Sequence, residues 1–418
     1  MAIVLSFAGM RPPPQLADQV AAPPYDVINS EEAREQAENN PHSFLHINKP
    51  EIDFPSEVDV YSDAVYAKGG ENIARFIKEG ILVQDSVPGF YIYRQSLGEH
   101  EQTGIVCLVS ADDYENNLIK KHELTRPQKE NDRVQHMQAV NAQVGPVLMI
   151  YAAEKKLSDI VQQCCQKAPE YDFDSDNVRH QLWLVNESAL LQEISEAFTC
   201  VPELYVADGH HRSAAAVQYR EMCRENNPDH TGEEPYNFFL AVLFPHDELN
   251  ILGYHRVVRD LNGMDPQSFL DALAKTYDIT PTKTRAMPTA AEQFGLYLDD
   301  QWYQLVLQHR ENLGGLSGMG EEGDELLDVA ILQDTVLSPL LDIHDIRSDK
   351  RIDFIGGIRG QAGIEKAVNS GEFVAGFACY PVRIEQLMTV ASQNKLMPPK
   401  STWFEPKLKS GLVIHNFE

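Results

Sequence analysis

The sequence predicts an α+β chain, and three observations carry that prediction. Short apolar runs alternate with stretches of helical periodicity along the whole length. No internal repeat or low-complexity tract interrupts them. Hydrophobic residues make up 43% and charged residues 23%, ordinary globular values that allow a sizeable core. At 418 residues the chain is long enough for two or three domains.

In order, the pattern gives a strand at 3–7 and proline-rich loops around Pro12-Pro13-Pro14 and Ala22-Pro23-Pro24-Tyr25. A helix opens after Asn29 or Ser30, both good caps with acidic residues in the next turn. A longer helix covers 61–79, and strands follow at 89–93 and 105–110. The polar segment 120–133 leads into a helix ending near 143, then a buried-type strand at 146–151. Residues 152–200 read as helix, strand and helix. A strand at 203–207, a helix over 211–224 and a strong strand at 238–244 complete the middle. The last third reads as helix 266–276, strands 295–298 and 302–307, a glycine-rich loop at 314–323, helices near 326–335 and 363–369, strand 373–378 and helix 382–393. These elements divide into regions 1–100, 101–260 with an insertion at about 152–200, and 261–418.

Charge narrows the function classes. With 63 acidic against 35 basic residues the formal net charge is -28, which repels nucleic-acid backbones and anionic membranes alike. A phosphorylated ligand would need a local positive site. Six cysteines, without any C-x-x-C pair, read as reduced thiols of a cytoplasmic protein. No signal-peptide pattern and no apolar run of membrane-spanning length is expected.

The strongest local site is Asp208-Gly209-His210-His211-Arg212-Ser213, between the strand at 203–207 and the following helix. Gly209 can take a positive φ and admits close approach to the backbone. The first helical N–H groups lack internal partners, and the macrodipole adds partial positive charge. Arg212 supplies a fork for phosphate oxygens, and Ser213 and the histidines supply donors. Adjacent His210 and His211 point differently and no H-E-x-x-H occurs, so spacing assigns no metal ligands. The competing account is a capping Asp208 with two surface histidines.

The second site is Lys120–Arg133, with six basic residues counting His122. Phosphoryl transfer needs cations around the moving group and a carboxylate near the acceptor hydroxyl. Glu123 is the candidate carboxylate. Lys121, Arg126 and Lys129 are candidate phosphate or substrate contacts, with His122 and Thr125 beside them. The competing account is a solvated loop. Eighty-five positions (208 minus 123) separate Glu123 from Asp208, so folding must bring them together. Tyr25 and Asp26 lie in a rigid turn that either is structural or faces a ligand, with the structural account favoured. Arg256 either binds an anion or pairs with Asp260. Lys400, Ser401 and Lys407 are second-rank contacts around the rigid Met397-Pro398-Pro399 loop. No Walker A sequence, G-x-G-x-x-G fingerprint, kinase H-R-D and D-F-G pair or G-x-S-x-G elbow is present.

The segment Ala207-Asp208-Gly209-His210-His211-Arg212 resembles the phosphate loop of the ParB and sulfiredoxin-like fold, which holds phosphate at a G-x-x-R turn opening a helix. Its D-G-H-H-R form is similar to the free-serine kinases built on that fold, and the His122-Glu123 segment resembles theirs. Ala22-Pro23-Pro24-Tyr25-Asp26-Val27, Lys121-His122-Glu123-Leu124-Thr125 and Met397-Pro398-Pro399-Lys400-Ser401-Thr402 resemble the domain-of-unknown-function 1015 family over nearly the whole chain. The resemblance implies a ParB/sulfiredoxin-like core with flanking mixed elements. It also implies a phosphotransferase acting on free serine or a similar hydroxylated metabolite. Mg²⁺ would accompany ATP, ADP or pyrophosphate as the donor. Glu123, Asp208 and His211 would then be catalytic, and Gly209, His210, Arg212 and Ser213 would hold the donor. A phosphate-ester hydrolase or a ParB-like nucleotide-binding regulator would use the same cradle.

Overall fold

The computed structural model describes residues 1–308 and 327–418, so the glycine-rich loop at 314–323 and the start of the helix expected at 326 lie outside the described residues. The chain forms two compact units, one of Met1–Leu249 with Pro406–Glu418 and one of Asn250–Glu405.

The first unit is built on a nine-stranded mixed sheet. Its strands are β1 (Val4–Leu5), β2 (Phe90–Leu97), β3 (His100–Ser110), β4 (Ile119–Lys120), β5 (Val147–Tyr151), β6 (Tyr171–Ser175), β7 (Val178–Val185), β8 (Leu204–Asp208) and β9 (Phe238–Pro245). The order is β4-β8-β5-β9-β3-β2-β7-β6, with β1 on β3. β4 pairs with β8 and β5 with β9 in parallel, and the other pairs are antiparallel. Residue 100, an expected boundary, lies in the β2–β3 hairpin. The segment 152–200 supplies two strands rather than the expected one. It does not loop away: β7 pairs along the length of β2 and extends the same sheet.

Alternate residues of the central strands (Val147, Met149, Leu204, Val206, Ala241 and Leu243) are buried in one cluster. Helices Lys155–Cys164 and Ser188–Phe198 cover it with Leu157, Ile160, Ile194 and Phe198. Each such side chain contributes about 1.5–3 kcal/mol on burial. Helices α1 (Asp63–Lys78), α2 (Pro127–Val140) and α3 (His210–Glu225) pack in series, α1 on α2 and α2 on α3. Val134 and Met137 of α2 meet Ala215 and Tyr219 of α3. α2 starts where Pro127 occupies its first turn, which needs no backbone donor there. The C-terminal tail runs back through this unit. Ser410 pairs with Ala22, Ile414 bridges Met10, and His415–Asn416 pairs with Ala142–Gln143.

The second unit carries a six-stranded antiparallel sheet. Its strands are β10 (His255–Val258), β11 (Tyr277–Thr282), β12 (Gln293–Leu298), β13 (Gln301–Leu307), β14 (Ile352–Ile355) and β15 (Ala375–Cys379), in the order β11-β13-β12-β15-β10-β14. The sequence pattern does not predict β10, β11 and β14, since each is short or interrupted by polar residues. The glycines at 356–357 are for packing: a Cβ on Gly356 would lie 2.5 Å from the Trp403 ring. Arg256 does not pair with Asp260, which instead lies 3.8 Å from Arg351. Arg256 is buried, and its guanidinium donates to the carbonyls of Tyr254 and, at 3.1 Å, of Lys400.

Asp328, 5% exposed, accepts the Glu292 N–H at 3.0 and 3.1 Å. Burial lifts its carboxyl to about 7, opposed by that backbone donor. Its folded value lies above the ordinary 3.9, so its contribution to stability is full below about pH 4 and is lost as pH rises to about 7. Asp328→Asn keeps an acceptor oxygen and removes the ionisation. The variant is expected to be more stable than the native chain by about 4 kcal/mol at pH 8 and equal to it near pH 4. Urea titrations at the two pH values measure this, and an equal difference at both would refute it.

Candidate functional site

Two strand–loop–helix units stand side by side in the first unit. β4 leads through 121–126 into α2, and β8 leads through Gly209 into α3. The parallel register Leu204↔Ile119 and Tyr205↔Lys120 places both loops at the same carboxyl edge of the sheet. Ligands bind by preference in such a crevice at the carboxyl ends of parallel strands. The ladder between β8 and β5 shifts register between Val206 and Asp208, an irregularity immediately before the turn.

Gly209 caps α3 with φ 109°, a conformation that disfavours side chains. Arg212 folds back beneath it, so a Cβ at Gly209 would lie 3.2 Å from the guanidinium carbon. The guanidinium therefore points inward. Nη1 donates to the Pro146 carbonyl and Nη2 to Asp208 Oδ2 at 3.4 Å. Ser213 is fully buried, and its hydroxyl donates to the Gly209 carbonyl at 3.2 Å. Asp208 also meets Lys407 Nζ at 3.5 Å, brought in by the C-terminal tail, while Gln95 Nε2 holds the Lys407 carbonyl at 2.8 Å.

The 121–126 loop closes on this turn. The Arg126 N–H donates to His211 Nε2 at 3.1 Å. His122 and His210 meet edge to face with ring centroids 4.4 Å apart. One ligand atom each of His122, Glu123 and His210 lie within 4.8 Å of one another. Burial lowers the His122 imidazole to about 4, although the Val206 backbone and Asp208 favour its charged form. Burial, with His122 next, drives His210 well below the ordinary histidine value. Both rings are therefore neutral near pH 7. Lys121 is lowered by burial, its ammonium 4.0 Å from the Tyr114 ring centroid. Lys129 donates to the Tyr61 hydroxyl at 3.1 Å. Thr125 lies half-buried in the same loop.

Thus the structure gathers His122, Glu123, Arg126, Asp208, Gly209, His210, His211 and Arg212 at one edge, across the 85-position separation. Lys400 and Ser401 belong to the second unit. There the Lys400 ammonium lies 5.6 Å from the Tyr254 ring centroid, and buried Ser401 donates its hydroxyl to the Pro398 carbonyl.

A small cavity of about 30 Å³ adjoins Arg212, lined also by Tyr25, Asn48, Arg133, Gln143 and Gly145. The Arg133 guanidinium stacks 3.9 Å from the Tyr25 ring centroid. Asn48 Nδ2, Gln143 Nε2 and Arg212 Nε are buried donors without a hydrogen-bond partner among the described residues. Donors left unmet at one cavity fit a small oxyanion or an ordered water. The sequence alone favours a structural turn for Tyr25 and places Arg133 only as the last residue of the basic segment, a surface residue in the solvated-loop account. The available signal is the Pro-Pro-Tyr-Asp segment, whose partners come from four other stretches of chain.

For the metal implied by a nucleotide donor, the fit is partial. Mg²⁺ takes oxygen ligands, and Glu123 and Asp208 supply the carboxylates, but the other nearby groups are imidazoles. An Mg²⁺ carried in on the donor's phosphates suits these residues better than one held by them. All six cysteines are unpaired thiols. No helix among the described residues is long and apolar enough to cross a membrane.

Residues 4–330 match the family model described as protein of unknown function DUF1015. No curated protein matches the sequence. Among solved structures, the chain is similar to a free serine kinase in complex with AMP, at 14% identity and TM-score 0.34, covering 72% of this chain and 86% of that one. It is also similar to a conserved hypothetical protein from Pyrococcus furiosus, at 14% identity and TM-score 0.35, covering 73% and 93%. A third is SbnI with C-terminal truncation from Staphylococcus aureus, at 11% identity and TM-score 0.37, covering 72% and 84%. Likeness this distant carries no weight on function, which rests here on the residues themselves.

Proposed function

The chain belongs to the DUF1015 family, and from that premise we propose that it is a small-molecule phosphotransferase, a kinase of free serine or a similar hydroxylated metabolite. The observation that carries the reading is the parallel pairing of β4 with β8, which sets the Glu123 loop beside the Asp208–Arg212 turn. We assign the β8–turn–α3 segment to a ParB/sulfiredoxin-like core, on its D-G-H-H-R sequence and its glycine-capped helix.

In this reading the donor's phosphates lie on the N–H groups that open α3, where the helix dipole favours negative charge. Arg212 acts from beneath the turn, holding it in shape. Lys407, beside Asp208, adds a cation to an otherwise acidic protein. Glu123 accepts or orients the acceptor's hydroxyl proton as its oxygen attacks phosphorus and the bond to the donor's bridging oxygen breaks. The donor-rich cavity around Arg212, Arg133 and Gln143 suits the acceptor's carboxylate. Glu123 and Asp208 are the carboxylates nearest to where an Mg²⁺ carried on the donor would sit, and that ion would supply charge neutralisation at the phosphoryl oxygens.

The test is direct. Purified protein is incubated with Mg²⁺, serine and, in turn, ATP, ADP or pyrophosphate, and phosphoserine is measured. Formation with one donor is expected. Absence of phosphoserine with all three, and of any phosphorylated product with a panel of other small hydroxylated metabolites, sinks the reading. Release of inorganic phosphate without any acceptor would instead mark a hydrolase.

A further inference from the structure

The imidazoles of His122 and His210 are 1% and 6% exposed, so neither is a surface histidine. Nε2 of His210 and both nitrogens of His122 lack a hydrogen bond of normal geometry among the described residues, although the Val206 backbone lies close enough to one His122 nitrogen to favour its charged form. Buried polar nitrogens are seldom left so, and three in one place call for a missing partner. A water could satisfy some of them. Two imidazole nitrogens and a carboxylate oxygen within 4.8 Å of one another form a more specific pattern.

We propose that His122, Glu123 and His210 hold a divalent ion of the zinc class. Two nitrogens and one oxygen are the donor set of a three-ligand zinc site, with a fourth position left for water or substrate. The same set disfavours Mg²⁺ and Ca²⁺, which take oxygen ligands. Among first-row ions it binds in the usual order of affinity, which places zinc above manganese and iron.

The fold prepares the site. His122 and Glu123 follow β4, and His210 is the first residue of α3 after β8, so the parallel pairing of those strands brings all three together. Sequence conceals the set because 88 positions (210 minus 122) separate the two histidines. The adjacent His211 takes no part: its Nε2 accepts the Arg126 N–H. An ion here would lie beside the turn at the start of α3. When bound, it would act as a Lewis acid on a phosphoryl or hydroxyl oxygen. That role rests on the phosphotransferase reading, but the binding does not, so the test uses no nucleotide and no acceptor.

Chelator-treated protein is dialysed against Zn²⁺, Co²⁺ or Mg²⁺, and bound metal is counted by elemental analysis. Uptake of about one Zn²⁺ or Co²⁺ per chain is expected, with a raised melting temperature and a visible Co²⁺ spectrum of low coordination number. Mg²⁺ in excess is expected to leave that uptake unchanged. His122→Asn and His210→Asn should each weaken affinity by more than about 100-fold, beyond what loss of an outer-shell partner does. Should either variant fail to fold, as judged by circular dichroism, the native chain with Co²⁺ decides alone. No tight uptake by the native chain, a purely octahedral Co²⁺ spectrum or full retention in a folded histidine variant overturns the proposal. Tight binding without any phosphorylated product from serine or the metabolite panel would support the site and sink the kinase reading separately.

Discussion

Glu123→Gln is expected to lower phosphoryl transfer by about 10²–10⁴-fold, the usual yield of a positioned general base, and to leave nucleotide affinity nearly unchanged. The glutamine keeps the shape and one oxygen of the carboxylate but cannot take a proton. Glu123 sits in the 121–126 loop, whereas the donor's proposed cradle is the turn that opens α3. The loss should therefore fall on kcat, with KM for the donor little altered. The same carboxylate is assigned to the ion, so metal content is determined in the same samples. Equal metal content with lowered kcat isolates the proton-accepting role. A folded variant with native kcat would remove Glu123 from the mechanism, and a variant that lost only metal would reassign it as a ligand.

The elements carrying short-range signals are legible in the sequence. The strand at 204–208, Gly209 and the helix 210–225 can be read within a residue or two, because an apolar run, a glycine and a helical stretch succeed one another locally. The approach of Glu123 is not legible. It depends on β4, a strand of two residues whose parallel partner lies some 85 positions away, and no local period encodes that pairing. Nor is the direction of Arg212. Its residue type suits a phosphate fork, but the side chain turns under Gly209 to the Pro146 carbonyl. The cavity it lines draws Tyr25, Asn48, Arg133 and Gln143 from separate elements and becomes visible only when the chain is folded. Lys407 reaches Asp208 because the C-terminal tail returns across the first unit.

That inward arginine leads to the second large effect. Arg212→Ala is expected to destabilise the first unit by about 1–3 kcal/mol, the cost of leaving a buried polar partner unsatisfied, because Asp208 is only half-buried and the Pro146 carbonyl is the buried partner. The guanidinium is 8% exposed and holds the Pro146 carbonyl and Asp208 together. Without it the carbonyl is left buried and unsatisfied, a void opens beneath Gly209, and the turn loses the support that keeps its φ at 109°. Nucleotide binding should fail with it, since the N–H groups opening α3 would no longer be fixed. The chemically similar Arg212→Lys should not rescue binding, because one ammonium cannot span both the Pro146 carbonyl and Asp208 as the planar fork does. Urea denaturation gives the stability change. The rise in melting temperature on adding nucleotide gives the binding change, read only where the variant remains folded. A folded Arg212→Ala with the native nucleotide-dependent rise would mean that the turn holds phosphate without its arginine. A native response in Arg212→Lys would mean that charge, and not the fork, is what the turn requires.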